Sequence, residues 1–438
     1  MNNLLTSKFL KFNTLLKKHT LYIILSTIFC SLYVLRDIIG IDVSFYIIYL
    51  VGALIILFTS NEENIAFIIS ISAFSNGGFS GGFGIIMFCC FLLKFYYTLK
   101  KISLTVIILI ILCLLEVCHF IYYPNINSSI LFTYIFFVGV LILFIQYPHD
   151  KLDKKFIIKS FIVFSLFYNI MAVAQMTILY GSFNALLSLG FRSEYYVELL
   201  EQNRLLGNAN FVTALCSLNI CLCALLIEKK YDRIFCFISL GIFIFTALLT
   251  VSKMFLVVIA FYIIYIIIQS FKKKFSTGIV VSLFLFVLSV FAIKLFGDNL
   301  VSLLFERFQS GDLTTGRVDI IMNLMIAMND NPISYLIGFG IFQLPNYTNG
   351  HAVHSSFFEV LGGWGFFGLI LCSLYLIKMF VDSYKIARKS NQKISGFNYL
   401  PLIMFLGYSF IGMFFSSSFS LIEFMVVIYA IELKRNTI

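Results

Sequence analysis

Residues 102–123 read ISLTVIILIILCLLEVCHFIYY, an apolar run with few polar side chains. A run of this length can cross the hydrocarbon core of a bilayer as one α-helix. Similar runs follow one another from Leu21 almost to the C-terminus. Of the 438 residues, 61% are hydrophobic and 12% are charged, which leaves too little polar surface for a soluble domain. The sequence therefore predicts an all-α, polytopic integral membrane protein.

The basic residues lie in short clusters between the apolar runs. These clusters are Lys8/Lys11/Lys17/Lys18, Lys100-Lys101, Lys154-Lys155, Lys229-Lys230, Lys272-Lys273-Lys274, Lys385/Arg388/Lys389 and Lys434-Arg435. Lys and Arg concentrate in cytoplasmic loops, so the clusters assign these loops to the inside. The net charge of +10 thus reports topology, and it does not indicate a nucleic-acid partner.

With these clusters inside, the chain 1–438 forms a single membrane domain of about 12–14 transmembrane helices. The predicted spans cover about 21–35, 43–60, 65–97, 102–123, 130–147, 156–180, 211–227, 234–251, 254–271, 277–296, 354–380, 397–415 and 421–433. The run 65–97 is too long for one span, and the glycines of 76–82 predict a hairpin with its tip outside. Two polar segments, 181–209 and 297–350, are predicted to be external loops.

The second external loop contains apolar residues at helical spacing. One set is Leu300, Leu303, Leu304 and Phe308, and the other is Val318, Ile321, Met325 and Met328. Pro332 would stop the second helix. Both segments are predicted to be amphipathic helices lying along the membrane surface.

His351 and His354 lie where this loop meets the next apolar run. At i and i+3 they share a helix face and could bind a metal ion, although nearby carboxylates are sparse and all ten cysteines lie in apolar runs. A histidine merely hydrogen-bonded at the interface is a second interpretation. The third is a general base, because imidazole titrates near neutral pH and can accept a hydroxyl proton. We favour this role for His354, with His351 as its neighbour.

Three arginines, Arg192, Arg204 and Arg317, lie in the predicted external loops. The planar guanidinium suits phosphate oxygens, and Arg317 also opens a predicted helix whose dipole favours anions. The alternative for each is a solvated charge or an ion pair with a nearby carboxylate such as Asp319. Lys253 interrupts two apolar runs at an external face, where its ammonium either extends to water or meets an anion.

Glu116 and His119 approach the outer end of the span 102–123. They lie too far in the sequence from the other ionisable groups of the apolar runs to define a proton pathway.

Four segments follow one another through the C-terminal part of the chain. Residues 204–210 read RLLGNAN, residues 250–253 read TVSK, residues 316–340 begin Gly-Arg and end Gly-Phe-Gly, and residues 354–368 read HSSFFEVLGGWGFFG. In this order and membrane placement they resemble the O-antigen ligase/polymerase superfamily of bacterial surface-polysaccharide enzymes. Lys253 stands where the family has arginine, and Ser355 where asparagine is common.

The resemblance implies glycosyl transfer on the outer face of the bacterial plasma membrane. An acceptor sugar hydroxyl would displace the lipid pyrophosphate, with inversion, from a glycan carried on undecaprenyl pyrophosphate. Cations would stabilise the departing group and a histidine would accept the hydroxyl proton. The implied catalytic residues are His354 and Arg317. The implied substrate-binding residues are Arg192, Arg204, Lys253, Asn210, Glu359 and His351.

Pyrophosphate bound to cations is already a good leaving group, so a metal is not obligatory, and we expect no metal and no cofactor. The expected partners are the lipid-linked oligosaccharide, membrane lipids, a chain-length regulator and a flippase, and no nucleic acid.

Polymerases and ligases of this superfamily share these motifs. Polymerases extend lipid-linked repeats, whereas ligases transfer finished glycan to another acceptor. The abundance of Phe, Ile, Lys and Asn suggests an AT-rich genome, and many such bacteria have no lipopolysaccharide core to ligate. This favours an O-antigen or capsule polymerase.

A flippase or other transporter is the alternative from another class. It would show two similar halves and charges near the midplane, whereas this chain has asymmetric loops and ionisable residues at the outer interface. A scaffold subunit of a glycan assembly complex is a further alternative.

Overall fold

A computed structural model of the chain describes residues 2–77, 81–95, 102–122, 128–148, 151–191, 209–276, 316–351, 353, 355–389, 395–411 and 418–434, with isolated positions between 278 and 294. These residues form helices, turns and loops, and no β-strand occurs among them. In chain order, helices α1 to α17 are Asn2–Asp37, Phe45–Phe58, Asn61–Ile71, Gly81–Phe95, Leu104–Tyr122, Ser128–Ile145, Lys154–Leu179, Phe183–Leu189, Ala209–Glu228, Arg233–Leu249, Lys253–Lys273, Arg317–Asp330, Ser334–Ile337, Leu344–Tyr347, Ser356–Lys389, Gly396–Ile411 and Ser418–Glu432.

Six helices within the described ranges are long and apolar enough to cross a membrane. They are His19–Asp37, Leu104–Tyr122, Lys154–Leu179, Ala209–Glu228, Phe255–Lys272 and Ser356–Lys389. Shorter apolar helices pack against them, among them α2 on α1 and α10 on α7 and α9. The predicted all-α polytopic membrane fold is confirmed. The predicted span 277–296 is described only at isolated positions, and the amphipathic set beginning at Leu300 lies outside the described residues.

The glycine-rich break predicted within 65–97 is present. Helix α3 ends at Ile71, a 3₁₀ turn covers Ser72–Gly77, and α4 begins at Gly81. Helix α3 packs chiefly on α7, whereas α4 packs on α2 and α6. Helices α4 and α6 approach closely because Gly84 lies against Phe137, where a Cβ atom would be 3.2 Å from the ring.

Contacts at one end of the bundle join the helix ends that carry the basic clusters, and we call this the basic end. Lys154 Nζ lies 2.8 Å from Glu432 Oε2, which ties α7 to α17. Glu63 accepts a hydrogen bond from Ser60 N at 2.6 Å and lies 2.7 Å from His19 Nδ1, which ties α3 to α1. These contacts agree with the alternation of helix direction predicted from the basic clusters.

The opposite end, which we call the loop end, carries α8, the turn from α10 to α11, and the described residues 316–351. Phe191 N donates to Leu249 O at 2.8 Å, and the hydroxyls of Thr213 and Thr250 lie 2.7 Å apart. The loop after α8 is therefore fixed to the end of α10, and α9 is fixed there too.

Helix α12 forms where the second amphipathic helix was predicted, and it packs on α14 and α15. Its buried side chains, Leu324 and Met328, join a small apolar cluster with residues from the following loop and α15. Of the predicted face, Val318 is 51% exposed, and it lines up with Met322 at 56% and Ile326 at 54%. The helix therefore has one face against the protein and a separate exposed apolar stripe.

Candidate functional site

At the loop end, the long helix α15 is interrupted by a kink at Gly365. Gly365 has φ 64° and ψ −163°, which no α-helix contains, so the carbonyls just before it lose their helical partners. Phe339 N donates to Gly362 O at 2.8 Å and Gly340 N donates to Gly363 O at 2.7 Å. The loop after α13 thus supplies the hydrogen bonds that the kinked helix lacks.

Glycine is required on both sides of this contact. A Cβ atom on Gly338, whose φ is +75°, would lie 2.1 Å from Gly363 O. A Cβ atom on Gly365 would lie 2.3 Å from the carbonyl carbon of Leu336. Because backbone meets backbone here, no side chain can be accommodated. The glycines of segments 316–340 and 354–368 therefore pack backbone against backbone, and we call this contact the joint.

Helix α5 contributes a buried carboxylate to the same joint. Glu116 has no exposed surface, and its Oε1 accepts hydrogen bonds from Ile341 N and from Trp364 Nε1, each at 2.6 Å. His119, one turn further along α5, lies against Gly340, where a Cβ atom would be 2.9 Å from His119 Cβ. Helix α5, the loop and α15 therefore meet at one point.

His351 lies in a tight turn that leaves its side chain exposed. His351 N donates to Thr348 O at 3.0 Å, and the Thr348 hydroxyl donates to His351 O. Asn349 and Gly350 adopt φ values of 54° and 80°, which reverse the chain. Val353 is buried in the small apolar cluster and anchors the next part of the turn. His354 lies outside the described residues, and its role as a base stays a prediction.

Arg317 is the first residue of α12. Gly316, with φ 75°, precedes it and starts the helix. The guanidinium is partly buried, and burial lowers the pKa of Arg317 below its usual value, although arginine stays protonated in proteins. Within the described ranges, no carboxylate forms an ion pair with it, and Asp319 in the same turn is exposed. A positive charge at a helix start is thus available to an anion.

Lys253 and Asn210 lie at the same end of the bundle. Lys253 is the first residue of α11, after a turn in which Val251 has φ 49°. Asn210 is exposed in the first turn of α9, which the Thr213–Thr250 contact joins to this turn. Both predicted ligands therefore lie three residues along the chain from the Thr213–Thr250 contact at the loop end. Arg192 and Arg204 lie outside the described residues.

Glu359 is buried in the first turn of α15, with 1% of its surface exposed. It lies within electrostatic range of Glu116. The side chain therefore faces the interior of the loop end near α5. Its predicted contact with substrate stays a prediction.

The family model described as O-antigen ligase matches residues 238–373. This match supports the resemblance to the O-antigen ligase/polymerase superfamily that the sequence motifs indicate. The matched residues include Lys253, Arg317, His351, His354 and Glu359. Searches of curated proteins and of solved structures gave no match.

The segment that carries the superfamily match is also the one that folds around the kink in α15. It begins within α10 and ends within α15. Helix α5, with Glu116 and His119, lies outside it. The described part of the site is thus built by the matched segment together with helices that precede it.

The sequence shows Glu116 within an apolar span, but it does not show which groups donate hydrogen bonds to the carboxylate. Two features pointed to it: a carboxylate within an apolar span, and the single tryptophan of the sequence, Trp364, within another. A buried indole N–H requires an acceptor, and a buried carboxylate requires donors. Nothing in the sequence showed that these two requirements meet.

Proposed function

We propose that the chain is a polymerase of bacterial surface polysaccharide. It joins oligosaccharide repeats carried on undecaprenyl pyrophosphate, on the outer face of the plasma membrane. The observation that carries this proposal is the O-antigen ligase match over residues 238–373, which contain the cationic and histidine residues of the loop end.

The chemistry needs two things from the protein. As the glycosidic bond to the lipid carrier breaks, negative charge concentrates on the departing pyrophosphate, so cations there lower the barrier. Arg317 at the start of α12 and Lys253 at the start of α11 supply positive charge at the loop end. The acceptor hydroxyl needs a base, and His354 fills this role, with His351 beside it. Attack opposite the leaving group inverts the sugar carbon.

The lipid part of the donor stays in the membrane while its pyrophosphate reaches the site. The exposed stripe of α12, formed by Val318, Met322 and Ile326, provides an apolar surface for acyl chains. It starts one residue after Arg317, so the guanidinium lies at headgroup depth when the stripe is immersed. The basic clusters favour a cytoplasmic location for the opposite end of the bundle, which supports a site on the outer face.

A ligase is the second candidate, because the matching family model itself carries that description. It would use the same donor and the same leaving group, and only the acceptor would differ. The two activities are separated by the length of the glycan that remains on the lipid carrier.

The deciding experiment is a profile of lipid-linked glycans in a strain that lacks the gene. A polymerase leaves single repeats on the carrier in the outer leaflet. A ligase leaves chains of normal length on the carrier, and a flippase leaves single repeats in the cytoplasmic leaflet. Only accumulation of outer-leaflet single repeats, reversed by the intact gene, agrees with the polymerase proposal.

A further inference from the structure

We infer that Glu116 is a positioning residue for glycosyl transfer, although it lies on a helix outside the matched segment. This inference rests on the function proposed above. Glu116 is buried and does not touch substrate. It acts by holding the segment that carries His351, His354 and Glu359.

The two donors to Glu116 stand at the two ends of that segment. Ile341 precedes residues 342–363 and Trp364 follows them, and both bond to Oε1 at 2.6 Å. Because both donors bond to the same oxygen atom, the two ends of the segment are held close together. Fixing the ends removes arrangements in which its polar residues point elsewhere.

Three consecutive backbone amides are held in this way. Phe339 and Gly340 donate to the carbonyls freed by the kink in α15, and Ile341 donates to Glu116. The first two bonds fix the loop along α15, and the third fixes it to α5. Without the carboxylate, the loop would keep its contacts with α15 and with His119 but lose the hydrogen bond that joins Ile341 to α5.

A residue that only filled space here would not be a carboxylate. Burying an acidic group within an apolar span is costly, and the second oxygen, Oε2, has no hydrogen-bond partner among the described residues. What this side chain provides is one oxygen that accepts two hydrogen bonds at once, from a backbone amide and from an indole. An ionisable group kept in a span at this cost points to a functional role.

The test uses Glu116→Gln and Glu116→Leu in purified protein reconstituted into vesicles. Glu116→Gln keeps one acceptor oxygen, and Glu116→Leu keeps none. With lipid-linked repeats extracted from the deletion strain as substrate, we expect kcat to fall on the order of a hundredfold for Glu116→Leu and less for Glu116→Gln, because small misplacement of a reacting group has this effect. The KM for the lipid-linked donor should change little.

Glu63→Gln is the matched control. Glu63 is also a buried carboxylate that accepts a backbone N–H and contacts a second helix, but it lies at the basic end. Loss of activity through general destabilisation would affect both glutamine variants, whereas a positioning role affects only Glu116→Gln.

Two measurements do not depend on catalysis. Hydrogen exchange at residues 339–343 should accelerate in Glu116→Leu and stay unchanged in Glu63→Gln. The fluorescence of Trp364, the single tryptophan of the sequence, should change in the Glu116 variants alone. If Glu116→Leu does not fold, Trp364→Phe can replace it, because it removes one of the two bonds. In that variant, hydrogen exchange at residues 339–343 should again accelerate and kcat should again fall.

The inference is overturned if exchange at 339–343 is unchanged in Glu116→Leu, if kcat per folded molecule is unchanged, or if Glu63→Gln loses as much kcat as Glu116→Gln. Failure of the proposed function is a different result. In that case the wild-type protein itself transfers no glycan from the lipid-linked repeats, while the exchange measurement still decides whether Glu116 holds the segment.

Discussion

Replacing Gly338 with alanine should open the joint between the loop and α15. Gly338 has φ +75°, and its added Cβ atom would lie 2.1 Å from Gly363 O. The backbone of Gly338, with φ 75° and ψ −171°, is a conformation that essentially only glycine adopts, and it costs a residue with a Cβ atom about 1–3 kcal/mol. Relieving the overlap, either by shifting packed backbone or by giving up nearby hydrogen bonds, costs roughly another 1–3 kcal/mol.

Gly40→Ala is the matched control. Gly40 has φ +82°, and a Cβ atom there meets nothing within 4 Å. It has a positive φ but no overlap, so comparison of the two variants tests whether the close approach of the chains matters. An overlap of about 1–3 kcal/mol corresponds to roughly 5- to 150-fold more frequent opening of the joint.

Hydrogen exchange read at the amides of Phe339 and Gly340 measures this opening, because both are bonded to α15 in the closed joint. Exchange should accelerate by that factor in Gly338→Ala relative to Gly40→Ala, and transfer activity should fall with it. Equal exchange in the two variants would refute the reasoning, since backbone contact at Gly338 would then not be what holds the loop.

The remaining predictions concern other parts of the molecule. His354→Ala should abolish polymer while the protein still folds in the membrane, and full-length polymer in this variant would rule out the general base. Activity of the unmodified protein should survive chelation, and loss of that activity would favour the metal alternative. Arg317→Lys should lower transfer about tenfold or more because the bidentate fork is lost, and unchanged chain length on a gel would mean that Arg317 is a plain surface charge. Met322→Glu should weaken transfer by setting a charge in the stripe of α12, measured in vesicles; full activity would show that the stripe does not enter lipid. Lys154→Ala removes the ammonium that pairs with buried Glu432 and should destabilise the bundle by roughly 3–5 kcal/mol. The midpoint of thermal unfolding should fall while activity per folded molecule is retained. An unshifted midpoint would contradict a structural role for this ion pair.

The membrane architecture could be predicted because its causes are local. The length of an apolar run sets a span, and neighbouring Lys and Arg residues set its direction. The period of apolar residues likewise predicted α12, which begins at Arg317 and ends at Asp330. Its buried face could not be predicted fully, because several apolar residues lie around the helix and the packing surface of α15 selects Leu324 and Met328.

The joint at α15 could not be predicted, because its cause is not local. Segment 354–368 has the glycines for a kink, but the kink forms where the loop after α13 supplies donors to Gly362 and Gly363. Glu116 stands 225 positions from Ile341 and 248 from Trp364 along the chain. No periodicity or spacing links residues so far apart, and only the packing of α5 beside α15 brings them together.

The bond from α5 to this joint sets a limit on recombining such proteins. A chimera that takes residues 238–373 from this chain and α5 from a relative would pair Ile341 and Trp364 with whatever residue that relative carries at position 116. Two buried donors would then face a side chain that was not selected with them. Exchange of acceptor or sugar specificity between relatives should therefore succeed more often when the crossover lies before Leu104, so that α5 travels with the C-terminal part.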